Sequence, residues 1–296
     1  MTPREQGFLL LTSRLGDPAR KPLTVAQFRT LAKRVQAMAA PEESRMLRPG
    51  DLMALGYSEG DAGHILHLLS DKELLEYYLH AGRKCGCIPL TRVSEGYPAP
   101  VRLALGLDSP GCLWAKGDVR ILENPKVSLV GSRDLREENR AFAREVGRQA
   151  AIQGYTLVSG NARGADVAAQ QACLKAGGSV ISVVADRLDS HREKDRMLYL
   201  SEDGFDTAFS SIRALSRNRV IHALGDRVLV AQAMLQSGGT WDGTVRNLRF
   251  GWSPVYCYND GSEAMQSLGR MGAELITIEQ LGDFENLPRR KSLFEM

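Results

Sequence analysis

The chain has 296 residues, 43% of them hydrophobic and 25% charged, with a net charge of +3. This is the make-up of an ordinary globular protein long enough for two domains. No apolar run reaches membrane-spanning length, and so small a net charge leaves any nucleic-acid binding to a local basic patch.

The first residues, MTPREQGFLLLTSRLGD, hold only a brief apolar segment and an early Glu5. They make a poor signal peptide, so the expected location is cytoplasmic. Residues 1–82 are expected to form a small helical domain. Thr24 suits an N-cap, and Gln27, Leu31, Val35 and Met38 follow at helical spacing. Pro41 and Pro49-Gly50 interrupt that pattern, Asp51 can cap a short helix through Leu55, and Gly56 can end it. A further helix is expected from Asp61 to His80, with Ile65, Leu68, Leu69, Leu74 and Leu75 as its apolar positions. Such pieces suit packing or interaction and hold no catalytic set. His64, His67 and His80 lack cysteine or carboxylate partners at ligand spacing, so they read as helix-surface residues and no metal is expected. Of the five cysteines only Cys85 and Cys87 stand close together, which favours free thiols.

Residues 83–126 read as a connector into the next domain, with Ile88-Pro89-Leu90, Tyr97-Pro98, Pro110 and Leu113-Trp114 as short extended pieces. Periodicity then changes. Val127–Val130 is a continuous apolar strand ending in Gly131-Ser132-Arg133. A helix is expected from about Leu135 to Gln153, followed by the strand Tyr155–Val158 and the loop Ser159-Gly160-Asn161-Ala162-Arg163-Gly164. Strand, helix and strand in this order mark a βαβ unit with a parallel sheet. The alternation continues with an alanine-rich helix over Val167–Ala176 and strands at Ser179–Val184, Arg227–Ala231, Pro254–Cys257 and Glu274–Ile276. Leu188–Leu200 is charged and reads as partly helical. Ser216-Arg217-Asn218-Arg219 is expected to open a short helix over Val220–Leu224. Gln236–Thr240 reads as a small-residue loop before a helix through Phe250, and residues 284–296 as a charged tail ending RRKSLFEM.

Loops at the carboxyl ends of parallel strands are where open α/β sheets bind ligands. Four clusters are expected there: Gly131-Ser132-Arg133, Ser159 to Asp166, Arg217-Asn218-Arg219, and Ser237-Gly238-Gly239-Thr240. Glycine permits close backbone approach, helix N-termini favour anions, and arginine forks onto phosphate. Four arginines suit a row of phosphates better than one phosphate. Asp166 is negative and reads as a loop organiser bonding backbone N–H groups. Arg217 and Arg219 stand two apart and cannot share one helix face. A structural ion pair is the competing reading for both. Neither glycine loop is a dinucleotide or nucleoside-triphosphate fingerprint, and no G-x-S-x-G or H-E-x-x-H is present.

The order VSLVGSR, GYTLVSGNARGAD, SRNRVI, RVLVAQAMLQSGGT and MGAELI, between about Tyr97 and Ile276, resembles the DNA-processing protein A family (DprA/Smf). The resemblance implies an α/β fold: an extended Rossmann-like, mostly parallel sheet with helices on both faces, here over residues 83–283, behind the small helical domain. It implies a single-stranded DNA-binding protein without known catalysis or cofactor. Such a protein would be a homodimer that protects incoming strands in natural transformation and helps load a RecA-type recombinase. By resemblance Arg133, Ser159, Gly160, Arg163, Gly164, Arg217, Asn218 and Arg219 map onto the family's basic pocket and its glycine supports. Ser237 to Thr240 map onto its later Ser-Gly loop. The chain departs from the pattern at Gln170, where the family has histidine, ahead of Arg217, and after the fifth strand. The alternative is a nucleotide sensor, or a hydrolase of nucleoside monophosphates built on similar glycine loops. Those enzymes use a P-G-G-x-G-T-x-x-E loop, whose proline and glutamate are absent from Ser237–Thr244.

Overall fold

The computed structural model describes residues 1–37 and 47–288. The expectations at Met38, Pro41 and the final RRKSLFEM lie outside the described residues. The first helix, α1 (Pro3–Thr12), is closed by a capping box between Thr2 and Glu5. Thr24 caps α2 (Val25–Gln36) with Gln27 as the reciprocal partner. With α3 (Pro49–Ala54) and α4 (Glu59–Ser70), these helices bury a core of Leu11, Leu23, Leu31, Leu52, Ala62, Ile65 and Leu68. The following helix, α5 (Lys72–Lys84), faces the other way. Its Tyr78 packs against Trp114 and Phe205, with ring centroids 5.3 and 4.7 Å apart, and donates to Asp206 at 2.7 Å. Pairs of this kind add roughly 0.5–1.5 kcal/mol each beyond the area they bury.

Nine strands form one sheet. They are β1 (Cys87–Thr91), β2 (Cys112–Gly117), β3 (Lys126–Val130), β4 (Thr156–Ser159), β5 (Val180–Val184), β6 (Met197–Glu202), β7 (Val228–Val230), β8 (Val255–Tyr258) and β9 (Glu274–Ile276). The order across the sheet is β1-β2-β6-β5-β4-β3-β7-β8-β9. The pairs β1–β2 and β2–β6 are antiparallel and all others parallel. The extended pieces of the connector are thus an edge of the sheet itself, and α6 (Ala99–Leu105) lies between its two strands. The stretch expected to be partly helical has one 3-10 turn at Leu188–Ser190 and then the fully buried β6. Its apolar MLYL, hidden behind the charged HREKDR, is covered on both faces like the other central strands.

Helices α7 (Glu137–Ile152) and α8 (Ala165–Lys175) cover one face through Phe142, Val146, Ala169 and Cys173. The other face carries α9 (Ser211–Leu224), α10 (Gly238–Phe250) and α11 (Glu263–Arg270) through Val220, Leu224, Trp241 and Met265. The helix α9 starts at a Ser210 cap, so the Arg-Asn-Arg cluster lies inside it rather than opening it. Strand order reverses between β3 and β7, which have successive loops on opposite faces. A crevice opens at the carboxyl ends of strands at such a reversal.

Candidate nucleic-acid interface

A cleft of about 530 Å³ lies at that reversal. Its sides are the loop after β3 (Gly131 to Asp134), the start of α8 (Asp166), the buried face of α9 (Arg217, Asn218) and the segment leading into α10 (Ser237 to Thr240). Residues from all four predicted clusters therefore meet in one place.

Gly164 makes the second loop possible. Its φ is +91°, and a Cβ there would stand 2.5 Å from the Ser132 carbonyl oxygen and 2.4 Å from that of Arg133. No side chain fits that gap, so the two glycine loops lock together through it, with the Ala165 amide donating to the Ser132 carbonyl at 3.2 Å. Asp166 accepts from the Ala162 amide at 3.0 Å, as a loop organiser should. Burial holds its carboxyl above the usual range, against the pull of the Arg217 charge.

Arg217 is buried beneath the cleft. A Cβ at Gly160 would stand 1.2 Å from its Nη1, so this glycine leaves the space that the guanidinium fills. Nη1 donates to the Val183 carbonyl at 3.1 Å, while Nε has no hydrogen-bond partner. Burial pushes the Arg217 pKa down, opposed by Asp166. A guanidinium held this way is preorganised for an anion: its reorientation entropy is already spent, and its position costs nothing further on binding. Asn218 donates to the Gly239 carbonyl at 3.0 Å and so fixes the first turn of α10. That helix has Ser237 at its N-cap with no side-chain hydrogen bond across its first turn. The leading N–H groups of α10 have no intrahelical acceptor and face an anion favourably.

Arg133 is exposed at the mouth, and among the described residues no acid lies within ion-pair distance. The other predicted residues stand apart from the cleft lining. Ser159 is buried and accepts from Gln170 Nε2 at 2.6 Å, so Gln170 serves as a buried prop. Arg163 points outward to Asp134 at 2.9 Å. Arg219 turns to the opposite side of α9 and pairs with buried Glu202 at 3.0 Å. Gly160 and Gly164 act from behind, as described. The sequence reading missed an apolar lip. Phe209, Leu215 and Met234 line the cleft although 56%, 48% and 63% exposed. They are single apolar residues among polar ones, without the periodicity that flags a buried face. Large hydrophobics left open beside a cationic floor are the only signal they offer.

Comparisons with known proteins bear on family and fold. The family model for DNA recombination-mediator protein A matches residues 89–281, more than half of the chain. DNA processing protein DprA of Streptococcus pneumoniae is 33% identical over 197 residues, which cover 60% of this chain and 68% of that protein. Protein Smf of Escherichia coli is 30% identical over 200 residues, 62% of this chain and 52% of its own length. The X-ray structure of S. pneumoniae DprA superposes with a TM-score of 0.70 at 24% identity, covering 90% of this chain and 95% of that one. A structure of DNA processing protein A from Helicobacter pylori, which describes its single-stranded DNA binding mode, superposes with a TM-score of 0.56 at 25% identity, covering 68% and 94%. The chain belongs to the DNA recombination-mediator protein A family.

Proposed function

We propose that the protein binds single-stranded DNA in this cleft and acts, without catalysis, in DNA processing and recombination during transformation. One observation carries the reading. A cationic cleft, with Arg133 exposed at its mouth, Arg217 buried beneath it and the first N–H groups of α10 along one side, is bordered by an apolar lip of Phe209, Leu215 and Met234. Phosphate and unstacked base need those two surfaces side by side. A duplex hides its base faces and gains nothing from the lip. Membership of the family and the DNA-binding relative from H. pylori support the same reading. The carboxylates in the lining are Asp134, paired with Arg163, and Asp166, which accepts from the Ala162 amide and so serves the loop. The cleft residues all follow Lys126, so residues 1–82 fit a packing or partner-binding role. By family resemblance the protein works as a homodimer and hands its strand to a RecA-type recombinase.

The test is a gel shift with single- and double-stranded oligonucleotides at two salt concentrations. Single strands bind more tightly, and affinity falls with salt. Arg133→Ala flattens the log–log salt slope by roughly 0.7, one single-strand phosphate contact. Equal affinity of wild type and variant for single strands, or a preference for duplex, refutes the reading. Release of free base from nucleoside monophosphates would favour the hydrolase alternative instead.

A further inference from the structure

A second groove of about 310 Å³ runs beside the cleft, lined by Leu215, Arg219, Gly239, Trp241, Arg246 and Trp252. Leu215 and Gly239 line both, so the two are neighbours along the α9–α10 seam. Trp252 is partly exposed, and its ring stacks on Phe250 with centroids 5.9 Å apart and planes 15° from parallel. Phe250 is 58% exposed, which a core contact does not explain. The Arg249 guanidinium sits 5.5 Å from the Phe250 ring centre. Arg246 and Arg249 are exposed one helical turn apart, and among the described residues no acid lies within ion-pair distance of either.

We propose that this groove is a second single-stranded DNA subsite, in which a base stacks on the Trp252–Phe250 pair and Arg246 takes a phosphate. The inference rests on the reading of the first cleft and extends its strand path. Parallel aromatic plates with arginines along one side are the two elements of a strand-tracking channel. A second copy of the chain fits less well. The centres of protein interfaces are depleted in charge, whereas exposed arginines border these rings. Asp242 is the one acid in the lining; it repels a phosphate and suits a base amino group, which directs the backbone toward Arg246.

Length-dependent binding tests this. Oligothymidylates of about 6 and about 20 nucleotides separate one subsite from two. With the long strand, Trp252→Ala and Arg246→Ala each weaken binding about tenfold, and both leave the short strand unaffected. An abasic strand of the longer length makes the Trp252→Ala loss disappear. Trp114 is buried outside the groove, whereas Trp241 and Trp252 line it, so quenching of tryptophan emission by the long strand reports the groove; Trp252→Phe reduces the quenching while keeping most of the affinity. Arg246 is exposed, so its variant is free of folding artefacts. Long-strand binding unchanged in Arg246→Ala overturns the inference, even while Arg133→Ala still weakens both strands and upholds the first cleft. A drop in molecular mass of Trp252→Ala with unchanged DNA affinity also overturns it, in favour of a protein interface. If Arg133→Ala leaves both strands unaffected, the first cleft fails on its own account, and the second falls with it.

Discussion

The loop wall and the helical wall around the cleft use arginine in opposite ways, and of their arginines Arg133 and Arg217 line it. On the loop wall, Arg133 is exposed, and the Arg163 side chain is 77% exposed against an Asp134 side chain at 89%. On the helical wall, Arg217 is 8% exposed beneath Gly160, and Arg219 pairs with a Glu202 side chain at 8%. Water screens the first pair of arginines and leaves them mobile, so they act through charge at a distance. Arg217 has lost its hydration and is held by packing and the Val183 carbonyl, and Arg219, its side chain 25% exposed, is held by the Glu202 carboxylate, so both act through position. Equal formal charge therefore implies unequal consequences when it is removed.

Arg217→Ala breaks the comparison most sharply. It empties the space against Gly160 and leaves buried Asp166 without its attracting charge. Removing one partner of a buried charged pair costs about 3–5 kcal/mol. The contact between Arg217 and Asp166 is through space rather than direct, which puts the expected loss toward the lower end. Urea denaturation measures it. Arg133→Ala changes stability by less than about 0.5 kcal/mol in the same assay. If both variants melt alike, the helical wall is no more structural than the loop wall. Gly160→Ala is an independent probe: its methyl must displace the guanidinium, so DNA binding falls although no charge is removed.

The same contrast explains what could be read from sequence. The strands β3, β4, β5, β7 and β8 are visible because burial on both faces makes them unbroken apolar runs, and Gly131 and Gly160 mark where those runs turn. Asp166 was legible as a loop organiser because its negative charge would repel phosphate and suits the first turn of α8, where backbone amides lack partners. Which way each arginine points was not legible. Arg217 and Arg219 were separable only as occupying different faces of α9. Their partners, Gly160 and Glu202, lie in remote segments that only the sheet order brings near. The strand β6 was masked because its charged approach, HREKDR, dilutes the apolar signal of MLYL. The apolar lip has no pattern at all: Phe209 and Met234 become neighbours of one cleft only once β7 is placed beside β3.

Proton linkage offers a second probe of the helical wall. His222 lies one turn beyond Asn218 on α9, fully buried, with Nδ1 accepting from Asn247 at 3.1 Å and Nε2 unpartnered. Burial pushes its pKa down to about 3 from 6.5. The folded form thus excludes a proton that the unfolded chain accepts. Its contribution is complete above pH 6.5 and is lost as pH falls toward 3, by up to about 1.4 kcal/mol per pH unit. Asp166 and Glu202 run the other way: burial raises both, so each takes up protons on folding and its contribution is lost as pH rises through its folded value. His222→Gln flattens the fall in stability between pH 6.5 and 3, as followed by urea titration at successive pH values. An unchanged slope means that the imidazole is hydrated and that this part of α9 is not the dry wall described above.

The smallest effect lies on the loop wall and is the most discriminating. Asp134 lines the cleft and holds Arg163 at 2.9 Å, both fully in reach of solvent. Such a pair contributes about 0–1 kcal/mol, less as salt rises. The backbone here is tied independently, because Gln232 donates to the Asp134 carbonyl at 3.1 Å and accepts from the Arg136 amide at 3.0 Å. Asp134→Ala therefore leaves stability and loop position intact. It removes a negative charge from the cleft and frees Arg163, so single-stranded DNA binds about two- to fivefold more tightly near 50 mM salt and the gain fades by about 200 mM. Weaker binding would mean that Arg163 needs Asp134 to hold it in place. The loop wall would then be as preorganised as the helical one, and the division between charge at a distance and charge in position would not describe this cleft.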